Sequence, residues 1–430
     1  MRWLPASPRL RRILLAYTVN ELGTWFGYVA LAIGVFDNTH SALATAGLFV
    51  SASLLPALLA PALVARVEAS QRRGGLTCLY LVEGLTTLAL ASLLTHFELA
   101  PIFLLVAIDA SAALAAKSLL RAAAARGDDP PDGEQELLRA SGTSDDAENP
   151  RTLEARKANA ALNLGYTITV ATGPAIAGVV VATLGGPTAL YIDAGSFLLC
   201  GLLLLDLRPY IKQLGSSSVR ARLGAAWEHL REARLLRAIL LTEALAMIFF
   251  TSALPPEVLY AKVSLNAGDG GFGLLLAMWG LGMVVGGVIF ARMVHRPLGP
   301  LLSSGTFAVG IAYVGFAAAP TLALACVAAV IGGVGNGVQW PSLISAVQRL
   351  TPQALHGRLM STVESMGALC PALGFALGGA LAALTSPRSA LLVAGIGALG
   401  STLVFLRLSW SGLAPAPEAP EEAPAEPAPA

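Results

Sequence analysis

Six carboxylates stand where an apolar helix does not ordinarily carry them. Glu21, Glu83, Asp109, Asp193, Glu243 and Glu364 each lie within a long hydrophobic run. An ionised carboxylate at the centre of a bilayer costs about 2.5–3.5 kcal/mol, so such a group is paired, hydrated or protonated. The chemistry that fits is the binding and release of protons or ligands beside a wetted path. Bond-making chemistry fits poorly, because no nucleophile, base and metal set gathers at one depth. No Gly-Lys-Ser/Thr phosphate loop is present, which argues against ATP as a power source. The five histidines (His40, His96, His229, His295, His356) are scattered and suggest no metal cluster. Cys78, Cys200, Cys326 and Cys370 sit in apolar runs and read as small packing residues. Neither a cofactor nor an enzymatic activity is expected.

The elements that must hold these acids are membrane helices. The chain is 55% hydrophobic and 13% charged, where a soluble domain carries about 25% charged residues. A bilayer core of ~30 Å needs about 20 helical residues per crossing. Apolar stretches of that size occur at 13–36, 42–65, 75–95, 100–121, 158–183, 188–207, 236–258, 271–291, 300–319, 321–347, 359–384 and 388–408. Twelve spans are therefore expected. The first is too long for a signal peptide and no small-residue cleavage site follows it, so it reads as a retained helix. With a cytoplasmic N-terminus, 26 of the 28 Lys and Arg fall on the cytoplasmic side, leaving only Lys262 and Arg388 outside. That split follows the positive-inside rule and places both termini in the cytoplasm of a cell-membrane protein. A net charge of +1 argues against nucleic acid as a partner.

The pattern divides into a six-helix bundle over 1–207, a cytoplasmic linker over 208–235, a second bundle over 236–410 and a tail over 411–430. Within 127–150, eight acids face one Arg139, and Pro130 and Pro131 interrupt any regular pattern, so this loop reads as flexible and solvated. Leu223, Trp227 and Leu230 recur at helical spacing among arginines, which predicts an amphipathic surface helix in the linker. The tail holds six Pro, seven Ala and four Glu and reads as disordered. Gly173-Pro174 with Gly178 in span 5 echoes Cys370-Pro371 with Gly374 in span 11. That echo suggests two parallel repeats, one of the known transporter designs. Gly173, Pro174 and Pro371 are expected to bend their helices. The glycine-rich run Gly332–Gly337 lies inside a span and reads as close helix packing.

These residues, taken in order, resemble the major facilitator superfamily, and within it the multidrug, macrolide and siderophore exporter branch. The resemblance rests on Asn20-Glu21-Leu22-Gly23 through Leu31, Phe36-Asp37-Asn38-Thr39-His40-Ser41, and Pro56 through Arg73. Further matches are Ala158-Asn159-Ala160, Gly173-Pro174, Asp193 through Phe197, Gly335-Asn336-Gly337 and Thr351-Pro352 with Gly357-Arg358. The loop after span 2 departs from the family pattern: Ala65-Arg66 replaces the usual Asp-Arg, and the nearest acid is Glu68. The glycine motif of span 5 is also incomplete.

The resemblance implies an all-α membrane protein of two pseudo-symmetric six-helix bundles, with helices 1, 4, 7 and 10 around a central cavity. It implies that Glu21, Asp109 and Glu243 face that cavity as the proton-coupling and substrate residues, the proton binding Asp109 or Glu21, with Trp25, Asn336, Gln339 and Trp340 beside them. Carboxylates among aromatics suit amphipathic, often cationic compounds. Glu83 and Asp193 are expected to be structural, and Glu364 to pair with Arg358 or a neighbouring loop. Lys117, two turns beyond Asp109, is expected to reach the headgroups, the alternative being a salt bridge with Asp109. Arg66, Glu68, Arg72 and Arg73 are expected to latch the cytoplasmic face, the alternative being contact with anionic lipid. The expected activity is proton-coupled efflux of a small molecule by a monomeric antiporter. Import, lipid flipping and a scaffold or sensor role are the competing readings.

Overall fold

The structure is a computed structural model that describes residues 8–70, 74–126, 150–205, 231, 233–293, 295–351 and 356–410. The acidic loop up to residue 149, nearly all of the linker, Arg72, Arg73 and the tail lie outside the described residues. Twelve long helical segments follow one another. The first six are α1 (Pro8–Thr39), α2 (Ala42–Ser70), α3 (Gly75–Thr95), α4 (Leu99–Arg126), α5 (Pro150–Leu184) and α6 (Gly186–Leu203). The second six are α7 (Arg234–Ser252), α8 (Gly268–Arg292), α9 (Leu298–Ala318), α10 (Leu322–Arg349), α11 (His356–Leu384) and α12 (Pro387–Trp410). Ten spans are long and apolar enough to cross a membrane, while Ile168–Leu184 of α5 and Leu369–Leu384 of α11 are shorter apolar stretches. Twelve crossings are thus not met by length and hydropathy alone.

The packing repeats with a shift of six helices. In the first half α2 packs on α4, α3 on α6, and α1 on α5 and α6. In the second half α8 packs on α10, α9 on α12, and α7 on α11 and α12. The halves meet where α2 packs on α11 and α5 on α8. Gly178 of α5 and Gly273 of α8 face each other so closely that a Cβ on either would strike the other's backbone. Small residues allow this approach, which in lipid substitutes for a hydrophobic driving force. Both α5 and α11 remain continuous helix through Pro174 and Pro371. Gly173 leaves room for the Trp25 ring of α1. The Gly332–Gly337 run packs as expected, with Gly333 against the Trp279 carbonyl and Gly337 against that of Met283.

Helix α7 ends because two prolines follow it. Pro255 and Pro256 lack the N–H groups that would continue the helical ladder, but both fit the first turn of a new helix. That helix, Leu254–Leu259, runs into a π-helical turn at Tyr260–Ser264, closed by Leu265 N–H donating to the Tyr260 carbonyl at 3.0 Å. Such turns are uncommon and often mark functional sites.

The apolar core is divided unequally along the bundle. At the end away from the chain termini, one cluster runs through both halves, from Phe26–Phe36 and Leu90 to Tyr260, Phe272, Phe316 and Phe375. At the end carrying the termini there are two separate clusters. One joins Leu10, Tyr17, Tyr80, Leu119 and Phe197 of the first half. The other joins Leu236, Leu240, Leu302, Leu343 and Phe405 of the second. Among the described residues, the core shared by the halves lies at one end, the fastened end.

Candidate transport site

Where the shared cluster faces the unfastened end, aromatic side chains from both halves meet. Trp25 and Tyr28 of α1 stand 5.7 Å apart between ring centroids, Tyr28 and Phe49 of α2 5.0 Å, and Phe49 and Phe375 of α11 5.3 Å. On the opposite side Phe250 of α7, Trp279 of α8 and Tyr313 of α9 form a second array, with Trp279 and Tyr313 stacked at 5.4 Å. Trp25, Tyr28, Phe250 and Trp279 are only partly buried.

Glu257 sits between these arrays and is 5% exposed. Its electrostatic neighbours are Tyr28 from the first half and Tyr313 from the second. Sequence reasoning missed this residue, because it lies at the outer edge of its apolar run. The signal was Pro255-Pro256 directly before it: a break that turns the following residues inward.

The three carboxylates expected at the cavity each have a partner within their own half. Glu21 Oε1 is 2.7 Å from Lys117 Nζ, a bridge from α1 to α4, and Lys117 also lies 5.9 Å from the Tyr17 ring centroid. The ion pair of Lys117 is thus with the buried acid Glu21 of α1 and not with Asp109 of its own helix. Asp109 Oδ1 accepts hydrogen bonds from Thr86 at 2.6 Å and Thr87 at 3.2 Å, so it faces α3 within its own half. Glu243 Oε1 accepts from Gln339 Nε2 at 2.7 Å, a bridge from α7 to α10. It borders a cavity of about 10 Å³ inside the second half, with Ser303, Thr306, Ser401 and Thr402, room for about one water. Asn336 is half-buried, Gln339 is buried and Trp340 is 43% exposed. Of the aromatic and polar residues expected at the site, the structure brings Trp25 to the inter-half seam.

The two bridges are one feature repeated. Gln339 follows Glu243 by 96 residues, and Lys117 follows Glu21 by the same 96. Each half therefore clasps its first and fourth helices with a glutamate, answered by Lys in one half and Gln in the other. The first pair balances its charge internally; the second does not.

The fastened end carries a charged lock. Lys262, on the π-helical turn, bridges Asp37 at the end of α1 and Asp269 at the start of α8. The Asp37 bridge joins the two halves. Arg388 donates to the carbonyls of Ala317 and Ala319 at 2.9 and 2.7 Å and covers the Tyr260 ring. It satisfies carbonyls that the end of α9 leaves open. The two basic residues outside the main positive pattern thus both have structural partners. Of the expected latch at the other end, Arg66 is exposed; the Glu68 side chain, like those of Arg358 and Glu364, is not among the described ones. Among the described residues, no three His, Cys, Asp or Glu stand close enough to hold a metal ion.

Residues 146–428 match the family described as transmembrane secretion effector. The chain belongs to that family of major facilitator superfamily transporters. It is 29% identical over 233 residues to the multidrug efflux pump Tap of Mycolicibacterium fortuitum, a match covering 52% of this chain and 55% of Tap. The chain thus spans about half the length of that curated relative. The whole fold is similar to that of the nucleoside transporter NupG, D323A mutant, with a TM-score of 0.70 at 13% identity, covering 93% of this chain and 99% of that one. It is also similar to a bacterial homologue of the human lysosomal transporter Spinster, with a TM-score of 0.68 at 12% identity, covering 93% and 96%. The protein is a multi-pass membrane protein of that family.

Proposed function

We propose that this protein exports small amphipathic compounds, cations among them, across the cell membrane in exchange for protons. The observation that carries the reading is Glu257, a buried carboxylate between aromatic arrays contributed by both halves. Aromatic faces and a carboxylate in a low-dielectric setting attract a cation with an apolar body. Because the arrays draw residues from both halves, a ligand held there ties its own affinity to the angle between the halves. That coupling is what alternating access requires. The likeness to Tap, itself described as a multidrug efflux pump, supports the direction of transport.

On this reading 1–207 and 236–410 are the rocking bodies, joined by the 208–235 linker. The distribution of Lys and Arg places the termini in the cytoplasm. The end with separate cores then faces the cytoplasm, and the described state is open inward. Ligand enters from the inner side, the halves close behind it, and the Lys262 lock releases. One proton crossing 100 mV supplies ~2.3 kcal/mol, or about fifty-fold in the concentration of a neutral substrate.

The test uses everted vesicles with an imposed proton gradient and a fluorescent lipophilic cation. Gradient-driven accumulation is expected, and Glu257→Gln is expected to abolish most of it. Accumulation indifferent to the gradient would refute the coupling. Transport in the reverse sense would identify an importer, and movement of a labelled lipid in place of the cation a flippase.

A further inference from the structure

The first half holds a group of acids that the aromatic seam does not use. Glu83 of α3, Asp109 of α4 and Asp193 of α6 are electrostatic neighbours of one another inside the bundle. Glu83 is 0% exposed, and neither of its oxygens has a protein hydrogen-bond partner. The Tyr80 hydroxyl, one helical turn away and equally buried, also lacks one. Asp109 is served by two threonine hydroxyls, and Asp193 by Ser196 at 3.4 Å.

Among the described residues, the other charged and titratable groups facing this cluster bring it no cation of its own. From α1 come Tyr17 and Glu21, and Glu21 already holds Lys117 of α4. From α6 comes Cys200, which donates to the Ala16 carbonyl. Three ionised carboxylates packed together in lipid would each carry a cost of ~2.5–3.5 kcal/mol and repel one another. The carboxylates do not converge tightly enough to share a metal ion. A proton is the neutralising species that fits such a group.

The cluster also has a mechanical connection. The Asp193 carboxylate is pressed against α1 at Gly23, where a Cβ would collide with it, and it lies beside Gly27. Trp25 and Tyr28, the α1 contribution to the aromatic seam, occupy the same stretch of helix. When the cluster loses its proton, repulsion from Glu83 and Asp109 drives Asp193 toward α1. When it gains one, that pressure is relieved. We propose that Glu83, Asp109 and Asp193 form the site that holds the coupling proton, and that Asp193 passes its state to the aromatic seam through α1.

This rests on the proton-exchange reading above for its transport consequence, but the site can be probed without substrate. Infrared difference spectra of the purified protein in lipid nanodiscs, recorded across a pH step, report carboxylic-acid stretches directly. The wild type should show a protonated carboxyl band that changes with pH, and Glu83→Gln and Asp193→Asn should each remove or shift it. A spectrum in which neither variant alters any carboxylic-acid band overturns the proposal, whatever the protein transports. In proteoliposomes, Glu83→Gln should reduce gradient-driven uptake at least ten-fold while substrate counterflow without a gradient stays within about two-fold. Gradient-driven uptake equal to wild type would equally overturn it. Loss of uptake with Glu257→Gln and normal infrared bands would locate the fault at the ligand seam and leave the proton site standing. Should Glu83→Gln fail to fold, Asp109→Asn, whose threonine partners can also serve an amide, provides the same readouts.

Discussion

Replacing Lys262 by alanine should loosen the fastened end, and the size of the effect can be worked out. Lys262 binds Asp37 and Asp269, but only the Asp37 bridge crosses between the halves. The Lys262 side chain is 17% exposed and that of Asp37 46%, so water screens the pair in part. Exposed pairs contribute about 0.2–1 kcal/mol, and a half-sheltered one belongs to the upper part of that range, ~0.5–1 kcal/mol. At room temperature this shifts the ratio of closed to open forms at this end by about two- to five-fold. Spin labels at Asn38→Cys and Asn266→Cys on a cysteine-free background would read the ratio as a distance distribution. Lys262→Ala and Asp37→Asn should both enrich the longer distance. Asp269→Asn should do so less, because it only steadies the lysine. The difference should shrink as salt is raised. Exchanging the charges (Asp37→Lys with Lys262→Asp) should restore only part of the closed population, since the new Asp would face Asp269. An unchanged distribution for Lys262→Ala would refute the assignment of this bridge as a lock.

Other consequences are as direct. Glu257→Gln should weaken binding of a lipophilic cation by about ten-fold or more, from the ~1.5–3 kcal/mol of a charged hydrogen-bonded contact. A neutral analogue should lose less than about three-fold, with both measured by fluorescence titration in nanodiscs. Lys117→Met should lower thermal stability in detergent by less than the ~3–5 kcal/mol of a fully buried broken pair, because Lys117 is 30% exposed. Adding Glu21→Gln should recover most of the loss. Gly178→Leu should force α5 away from α8 at a cost of ~1–3 kcal/mol and enrich the open form of the fastened end in the same spin-label assay.

The helices and their order were legible in the sequence because hydropathy and length speak directly about the bilayer. The positions of the buried acids were legible for the same reason, since each interrupts an apolar run. Their partners were not. The Asp109–Lys117 spacing invited a bridge along one helix, whereas Glu21 reaches Lys117 across two helices, and contacts across helices depend on rotation about each axis. The shared interval of 96 residues, Glu21 to Lys117 and Glu243 to Gln339, was visible, but it acquires meaning only once the halves are known to repeat. That Glu83, Asp109 and Asp193 are neighbours was not legible, because side-chain chemistry alone does not reveal which acids lie together. Lys262 carried a clue in its isolation: a lone cation among short outer links, with Asp37 and Asp269 as acids in the same links.

The separate cores at the terminal end bear on how such a chain comes to exist at all. Among the described residues, Leu10, Tyr80 and Phe197 belong to a cluster drawn from the first half alone, and Leu236, Leu343 and Phe405 to one drawn from the second. Each bundle can consolidate as the ribosome delivers it to the bilayer, before its sister has been made. Two genes, cut between Leu205 and Arg231 and expressed together, should then yield polypeptides that find each other through α2 with α11 and α5 with α8. Ancestral duplication of a shorter, self-pairing polypeptide would have begun from the same arrangement.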